Sequence, residues 1–394
     1  MKLVFLSNLL TPHQLPLADA FYKALGEEFL FLETIEYSEE LPVGWKPTFS
    51  ERPYVKSIHF WKNNTREIKR TILEAEALIF GSAPLSMVRE RLKNGKLTFR
   101  YSERVYKKEP PRYQMPLRAL KYFWQFGRHK NLYLLCASAY TSGDYARTRT
   151  FLNKAYKWGY FPEVKPYTDV PGLIAKKQPS SILWVGRFLK LKHPEAPIEV
   201  AKRLVADGYD FTLTMIGTGE ELDRTKSLAE SIGLSDRVQF LGAMKPEEVR
   251  NHMEKSEIYL FTSDRGEGWG AVLNESMNSA CAVVASHAIG AVPFLVKDGE
   301  NGLIYKDGSI DDLYRKVKWL LDHPTERAQI GEAAYRTMAE EWNAENAAKK
   351  FLALAKAILD GNRPPNLFPD GVCSKANNLY DGWYKNETRM ATEK

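Results

Sequence analysis

Cysteine is scarce in this chain. Only Cys136, Cys281 and Cys373 occur among 394 residues, odd in number and far apart. That pattern excludes a disulfide framework or a cysteine zinc site and fits a reducing cytoplasm. No apolar run approaches the roughly 20 residues needed to cross a bilayer. Residues 1–7 are too short for a signal-peptide core and lead straight into polar, proline-containing sequence, so they read as a first strand. Internal repeats, low-complexity tracts and any D-x-D aspartate pair are also missing. The missing D-x-D pair offers no such metal motif, and no cofactor is expected.

What is present is ordinary for a globular protein: 44% hydrophobic and 27% charged residues. A chain of 394 residues exceeds the size at which one hydrophobic core stops growing, which predicts two domains. Charge is divided unevenly. Residues 51–150 hold 21 Lys and Arg against 8 Asp and Glu, a local +13 in a chain of net +7. A basic surface confined to one half points to an anionic partner for that half.

The second half is the more regular. Short apolar runs at 182–185, 211–216, 238–241, 258–261, 282–285 and 303–305 alternate with helical stretches. This alternation predicts a doubly wound parallel sheet whose ligands bind beyond the strand C-termini. Gly186, Gly217, Gly219 and Gly242 fall just after the first three runs, where backbone turns tightly or approaches a ligand. In the first half, 3–6, 77–80 and 97–101 read as strands. Residues 162–179, with four prolines, read as an interdomain linker. Asn343 is expected to cap a helix to Leu359 carrying Phe351, Leu352 and Ala355 on one face, stopped by Gly361 and the Pro364-Pro365 pair. Leu367, Tyr380, Trp383 and Tyr384 make the C-terminal tail too apolar for disorder, so it is expected to pack on the first half. The expected domains are therefore 1–165, completed by 343–394, and 166–342.

Candidate chemistry concentrates after the run at 258–261. The segment E-G-W-G-A-V-L-N-E places Glu267 in a glycine-rich loop and Glu275 in the first turns of a helix over 271–280. Amides at such a helix start favour a phosphate, and a carboxylate accepts hydrogen bonds from sugar or ribose hydroxyls. Gly268, Trp269 and Gly270 belong to the same candidate donor site. Earlier, Arg187 and Lys192 follow Gly186 in a loop, positioned to converge on a diphosphate, one as a planar fork and the other as a point charge.

E-G-W-G-A-V-L-N-E-S-M resembles the E-x7-E signature of family-4 retaining glycosyltransferases. These have the α/β GT-B fold, two Rossmann-like domains facing each other across a deep cleft. The resemblance extends over about residues 180–310 and includes G-T-G-E at 217–220 and G-E-N-G at 299–302. It implies that Glu267 contacts the donor sugar, Glu275 the nucleotide ribose, and that Arg187 and Lys192 neutralise the leaving diphosphate. One departure lies at Gly290-Ala291-Val292-Pro293-Phe294, where the family commonly has glutamate after the proline.

On the first half, Thr11-Pro12-His13-Gln14 fits a helix capping box with Pro12 at the first helical position, although Pro16 makes that register uncertain. Thr11, Pro12 and Gln14 then have structural explanations; His13 has none and is a candidate active-site residue beyond the first strand. Ser102-Glu103-Arg104 stands where the resembling family usually has a histidine, so Glu103 or Arg104 is the substitute. Residues 116–130 mix aromatics, Trp124 among them, with Arg118, Lys121, Arg128 and Lys130. They suit an anionic membrane surface or, in a plainer reading, a core-facing helix with a wet basic side. Nothing resembles a nucleic-acid module, and no nucleic-acid partner is expected.

The resulting expectation is a metal-independent retaining glycosyltransferase. It uses a nucleotide-diphosphate sugar, with UDP ahead of GDP as carrier, and a hydroxyl of a glycan or lipid-linked acceptor. Its expected location is cytoplasmic, peripheral on the inner face of the membrane if the basic half binds lipid. The rivals are a GT-B nucleotide-sugar epimerase or hydrolase, which needs no acceptor, and a non-catalytic sugar-nucleotide-binding protein.

Overall fold

The structure, a computed structural model, describes residues 1–36, 51–362 and 365–384. The chain divides into two compact units, Met1–Glu163 with Trp342–Tyr380, and Val164–Glu341 with Asp381–Lys394. Pro364 and residues 385–394, part of the sequence-based expectations, lie outside the described residues.

The first unit is built on seven parallel strands: β1 Leu3–Ser7, β2 Phe29–Glu33, β3 Val55–Lys56, β4 Ala77–Phe80, β5 Thr98–Ser102, β6 Leu132–Cys136 and β7 Ala155–Lys157. Their order is β3-β2-β1-β4-β5-β6-β7, which reverses direction between β1 and β4. All residues of β1, β4 and β6 are buried, as their continuous apolar runs require for a sheet covered on both faces. Four strands went unread in the sequence because short apolar runs such as Leu132–Cys136 carry no period that separates strand from buried helix.

Arg91 is the most deeply committed charge of this unit, with 1% of its surface exposed. Its Nη1 donates to the Ile72 and Ala75 carbonyls at 2.8 and 2.7 Å, Nη2 to Leu97 at 2.5 Å, and Nε to Thr98 Oγ1 at 3.1 Å. One guanidinium thus satisfies the carbonyls ending the helix Thr65–Glu74 and those entering β5. Burial lowers its pKa to about 10, so it stays protonated at neutral pH.

The helix Ala344–Leu359 closes the first unit as the sequence suggested. Asn343 Oδ1 accepts from the Asn346 amide at 2.8 Å. Phe351 stacks edge-on against Phe21, Phe99 and Trp158, and Ala355 is buried beside it while Leu352 is half-buried.

Six parallel strands form the second unit: β8 Gln178–Val185, β9 Thr212–Ile216, β10 Val238–Phe240, β11 Ser256–Phe261, β12 Ala282–Ser286 and β13 Leu303–Tyr305. Their order is β10-β9-β8-β11-β12-β13, reversing between β8 and β11. Each of the six expected runs is a strand. The core under the sheet joins Trp184, Met215, Leu260 and Val284 to Leu204, Leu313 and Val317 from the covering helices. The class is α/β with two Rossmann-like sheets, as the sequence implied.

Three local expectations are corrected. The helix near Thr11 begins only at Leu15, with Gln14 as its N-cap and Pro16 in the first turn. Proline is tolerated there because that amide has no intrahelical partner. Residues 162–179 are not a bare linker, since they contain the helix Val170–Ala175, capped by Asp169, and the start of β8. In the tail, Val372, Cys373 and Ser374 are buried in the first unit, yet Leu367 and Tyr380 are exposed. Tyr384 instead stacks on His287 and donates to the Ile304 carbonyl at 2.6 Å, and Trp383 lies against the same ring, both within the second unit. All three cysteines are free thiols.

Candidate functional site

The C-terminal ends of β8, β9 and β11 hold the E-x7-E loop and the glycine loops together, at the point where the strand order of the second unit reverses. Gly186 donates its amide to Ile216, Phe188 to Thr218 and Gly217 to Gly242, at 3.0, 2.8 and 2.7 Å. These bonds knit the loops after β8, β9 and β10 into one surface. Gly217 has φ 137°, and a Cβ there would lie 1.9 Å from the Gly186 carbonyl oxygen. Any side chain would force the two loops apart. Gly219 abuts Phe188 in the same way, and Gly270, at φ 87°, packs against the Phe261 ring. Gly268 lies in the loop between Glu267 and Gly270.

Glu267 and Lys192 form an ion pair, each side chain 15% exposed. Ser263 Oγ donates to the same carboxylate oxygen at 3.2 Å. Beneath them Thr262 Oγ1 donates to the Lys192 carbonyl at 2.6 Å and accepts from Trp184 Nε1 at 2.9 Å. The Asp264 amide bonds Leu191 at 2.9 Å. The loop after β11 is thereby pinned to the loop after β8. Lys192 is paired with Glu267 rather than standing free beside Arg187. Arg187 is exposed and has no ion pair among the described residues.

Glu275 lies in the short helix Val272–Asn278 and is half-buried. Burial pushes its carboxyl above the usual range against the opposing attraction of Arg250. Arg250 Nη1 reaches the Glu275 carbonyl at 2.9 Å, Asn278 Oδ1 at 2.8 Å and Ser279 Oγ at 3.2 Å. Tyr259, buried with its hydroxyl on the Val185 carbonyl at 3.2 Å, sits in the field of both glutamates. Trp269 departs from expectation. Its indole is 1% exposed and donates to Asn274 Oδ1 at 2.9 Å, so it packs the loop from below and offers no face to a ligand.

The first unit contains a cavity of about 580 Å³ at the ends of β1, β4 and β5, again where strand order reverses. His13 and Glu103, ninety residues apart in sequence, both line it. Tyr160 joins them. Its ring stacks on His13 at 5.7 Å and 4°, and its hydroxyl donates to Glu103 Oε1 at 2.5 Å. Glu103 also pairs with Lys107 at 3.4 Å. Burial lowers the His13 pKa, leaving a neutral ring at neutral pH, and its Nδ1 makes no hydrogen bond among the described residues. Tyr160 and Arg100, also in the lining, were missed by sequence reasoning. Arg100 had a usable signal, a cation in the strand T-F-R-Y-S of a buried parallel sheet; Tyr160 had none.

The aromatic, basic segment forms the helix Met115–Tyr122 and a π turn over Phe123–Gly127. Four of its apolar side chains face outward: Leu117, Leu120, Phe123 and Trp124 are 71, 57, 52 and 56% exposed. The core-facing reading fails for these four and fits Phe126, which is buried against Tyr145 and Phe151. Lys121, Arg128 and Lys130 are exposed beside them, with Arg128 over the Trp124 ring at 4.9 Å. Arg118 differs, being half-buried over Tyr106 and bonded to Gln114. Among the described residues no helix is long and apolar enough to cross a membrane.

Comparison with known proteins converges on the second unit. Residues 170–337 match the family model of glycosyl transferases group 1. The lipopolysaccharide core biosynthesis glycosyltransferase LpsE of Rhizobium meliloti is 27% identical over 173 residues, 44% of this chain and 48% of that protein. The D-inositol 3-phosphate glycosyltransferase of Corynebacterium aurimucosum is 30% identical over 159 residues, 39% of this chain and 37% of that protein. The chain spans about half the length, 47 to 52%, of the curated relatives it matches first. Among solved structures, HepE of Anabaena in complex with UDP superposes with a TM-score of 0.67 at 14% identity, covering 91% of this chain and all of that one. Sucrose-phosphate synthase of Thermosynechococcus elongatus gives 0.63 at 16%, covering 92% of this chain and 100% of that one. These likenesses extend the GT-B fold to both units. The part of the chain that builds the Glu267 and Glu275 site is the part that matches the glycosyl transferases group 1 family.

Proposed function

We propose that this protein is a retaining, metal-independent glycosyltransferase that moves a sugar from a nucleotide-diphosphate donor to a hydroxyl of a glycan or lipid-linked acceptor. The observation that carries the reading is the joining of the Gly186 and Glu267 loops at the reversal point of the second sheet, within the segment matching the group 1 family. Such reversal points are where open α/β sheets bind ligands. Glu275 accepts from the ribose hydroxyls, Glu267 holds the donor sugar, and Arg187 and Lys192 stabilise charge on the departing diphosphate. UDP is the preferred carrier, in keeping with the UDP named for the Anabaena neighbour. The cavity of the first unit receives the acceptor beside His13 and Glu103. Incubating the protein with a panel of nucleotide sugars and glycan acceptors tests the assignment. Glycosylated acceptor supports it, conversion of donor alone points to an epimerase or hydrolase, and binding without turnover removes it.

Glu275→Ala is expected to weaken nucleotide affinity by about 1.5–3 kcal/mol, the range for hydrogen bonds to a charged group. Since only the ionised carboxylate accepts two such bonds, and burial raises its pKa, affinity should fall on acidification from a higher pH than an ordinary glutamate would give. Calorimetry across pH 5 to 8 (roughly the span between acidic and physiological conditions) reads both effects. Unchanged affinity in the variant would take Glu275 out of the site.

The outward face of the helix Met115–Tyr122 suits a peripheral position on an anionic membrane, with rings in the headgroup layer and cations at its surface. The full-length protein is expected to pellet with vesicles containing phosphatidylglycerol and far less with neutral ones. Salt at about 0.5 M should release it, because the Debye length, roughly 8 Å at physiological strength, shrinks further. Neutralising Lys121, Arg128 and Lys130 together should do the same with nucleotide binding unchanged. Equal sedimentation with both vesicle types contradicts an electrostatic role for this face.

A further inference from the structure

We infer that the cavity of the first unit binds an acidic sugar, one whose ring carries a phosphate or carboxylate, and that Arg100 is the residue that selects it. The inference deepens the transfer reading above by naming the acceptor's chemistry. It rests on the charge balance of the cavity wall. Arg104, 2% exposed at its side chain, is opposed by Asp144 at 3.8 Å. Glu103 is opposed by Lys107 and bonded by Tyr160. His13 is neutral through burial. Arg100 alone of the lining charges has no carboxylate beside it among the described residues. Its Nη1 donates to the Phe80 and Gly81 carbonyls, its guanidinium lies 4.5 Å from the Phe80 ring centroid, and its Nε is buried with no hydrogen bond among the described residues.

A half-buried cation held by two neutral carbonyls and a ring has lost water without gaining a counter-charge. An anionic group supplies that charge, and a planar guanidinium binds phosphate or carboxylate through paired N–H donors. The two carbonyl bonds and the ring fix the guanidinium in the wall before any ligand arrives, which lowers the entropy cost of binding. The rest of the wall suits a hydroxylated ring. Ser7, Asn8 and Ser82 offer small polar groups, while Tyr122 and Phe126 present an apolar side. A cavity of about 580 Å³ is of the size that takes a small ligand rather than a polymer segment.

The test is calorimetry on the full-length protein without donor, titrating glucose 6-phosphate, glucuronate and glucose. Binding of one or both acids at least ten-fold tighter than glucose is expected, and which of the two is tighter tells phosphate from carboxylate. Arg100→Gln should abolish that preference and Arg100→Lys should retain part of it, with UDP affinity unchanged in both. Comparable affinity for glucose and the acids, or no binding of any of the three by the unmodified protein, overturns the inference. So does an acid preference that survives in a folded Arg100→Gln protein. Adding nucleotide sugar then separates the two readings: an acid that binds at Arg100 but is never glycosylated upholds the anion site and counts against transfer.

Discussion

Arg187→Ala and Lys192→Ala are each expected to slow sugar transfer by roughly 10²–10³-fold, the usual cost of losing one preorganised charge stabiliser. The loss should fall on kcat, because the charge both residues meet develops as the bond to the diphosphate breaks. Their partners make the two variants different experiments. Arg187 is exposed and unpaired among the described residues, so its removal takes away one cation and little else. Lys192 is paired to Glu267, so Lys192→Ala also leaves a largely buried carboxylate without its counter-charge. Lys192→Ala combined with Glu267→Gln should therefore cost less than the sum of the single changes, since residues in contact are not additive. Steady-state rates of nucleotide release read all of this. EDTA should leave the unmodified rate nearly intact. If chelation abolishes activity and Mg²⁺ or Mn²⁺ restores it, charge stabilisation by these two side chains is insufficient and the proposal of a metal-independent reaction is wrong.

Arg91→Ala is expected to remove about 3–5 kcal/mol of stability from the first unit, since it leaves several buried acceptors without their donor. The guanidinium is 1% exposed and serves the Ile72, Ala75 and Leu97 carbonyls. Its loss strands those acceptors in an apolar interior, at about 1–3 kcal/mol each where no water can replace the donor. In a unit of this size each kcal/mol moves Tm by about 2–4 °C, so a fall of roughly 6–20 °C should be seen by calorimetry. Arg91→Lys should recover only part of it, because one ammonium cannot span carbonyls on a helix end and a strand start. UDP binding in the second unit should persist below the transition. A variant that melts like the unmodified protein would show that the fork is dispensable.

Much of the second unit was legible in the sequence because its physics is local. Runs such as 258–261 and 282–285 are β-branched, aromatic or otherwise apolar throughout, and long enough to cross a covered sheet. Gly217 was marked as a tight turn or an approach to a ligand, and a Cβ there would meet the carbonyl of Gly186 in the neighbouring loop. The first unit yielded less. Val55–Lys56 and Ala155–Lys157 are too short to show a period, and they are strands because neighbours already in the sheet supply their hydrogen bonds. Pro16 was a warning against a helix start at Pro12, and the helix does begin later.

The sequence by itself determined the α/β class and the presence of an E-x7-E loop between a strand and a helix. It also determined a basic excess in residues 51–150, since composition and spacing along the chain suffice for these. Tertiary structure alone decided which charges are spent on one another. It paired Lys192 with Glu267, turned Trp269 inward and faced the apolar side of the helix Met115–Tyr122 outward. It also joined His13 to Glu103 through Tyr160 and left Arg100 in a cavity wall with no carboxylate beside it among the described residues. The reason is physical: an ion pair or a stacked ring depends on separation in space. Strands of a parallel sheet bring together loops that lie tens of residues apart in the chain.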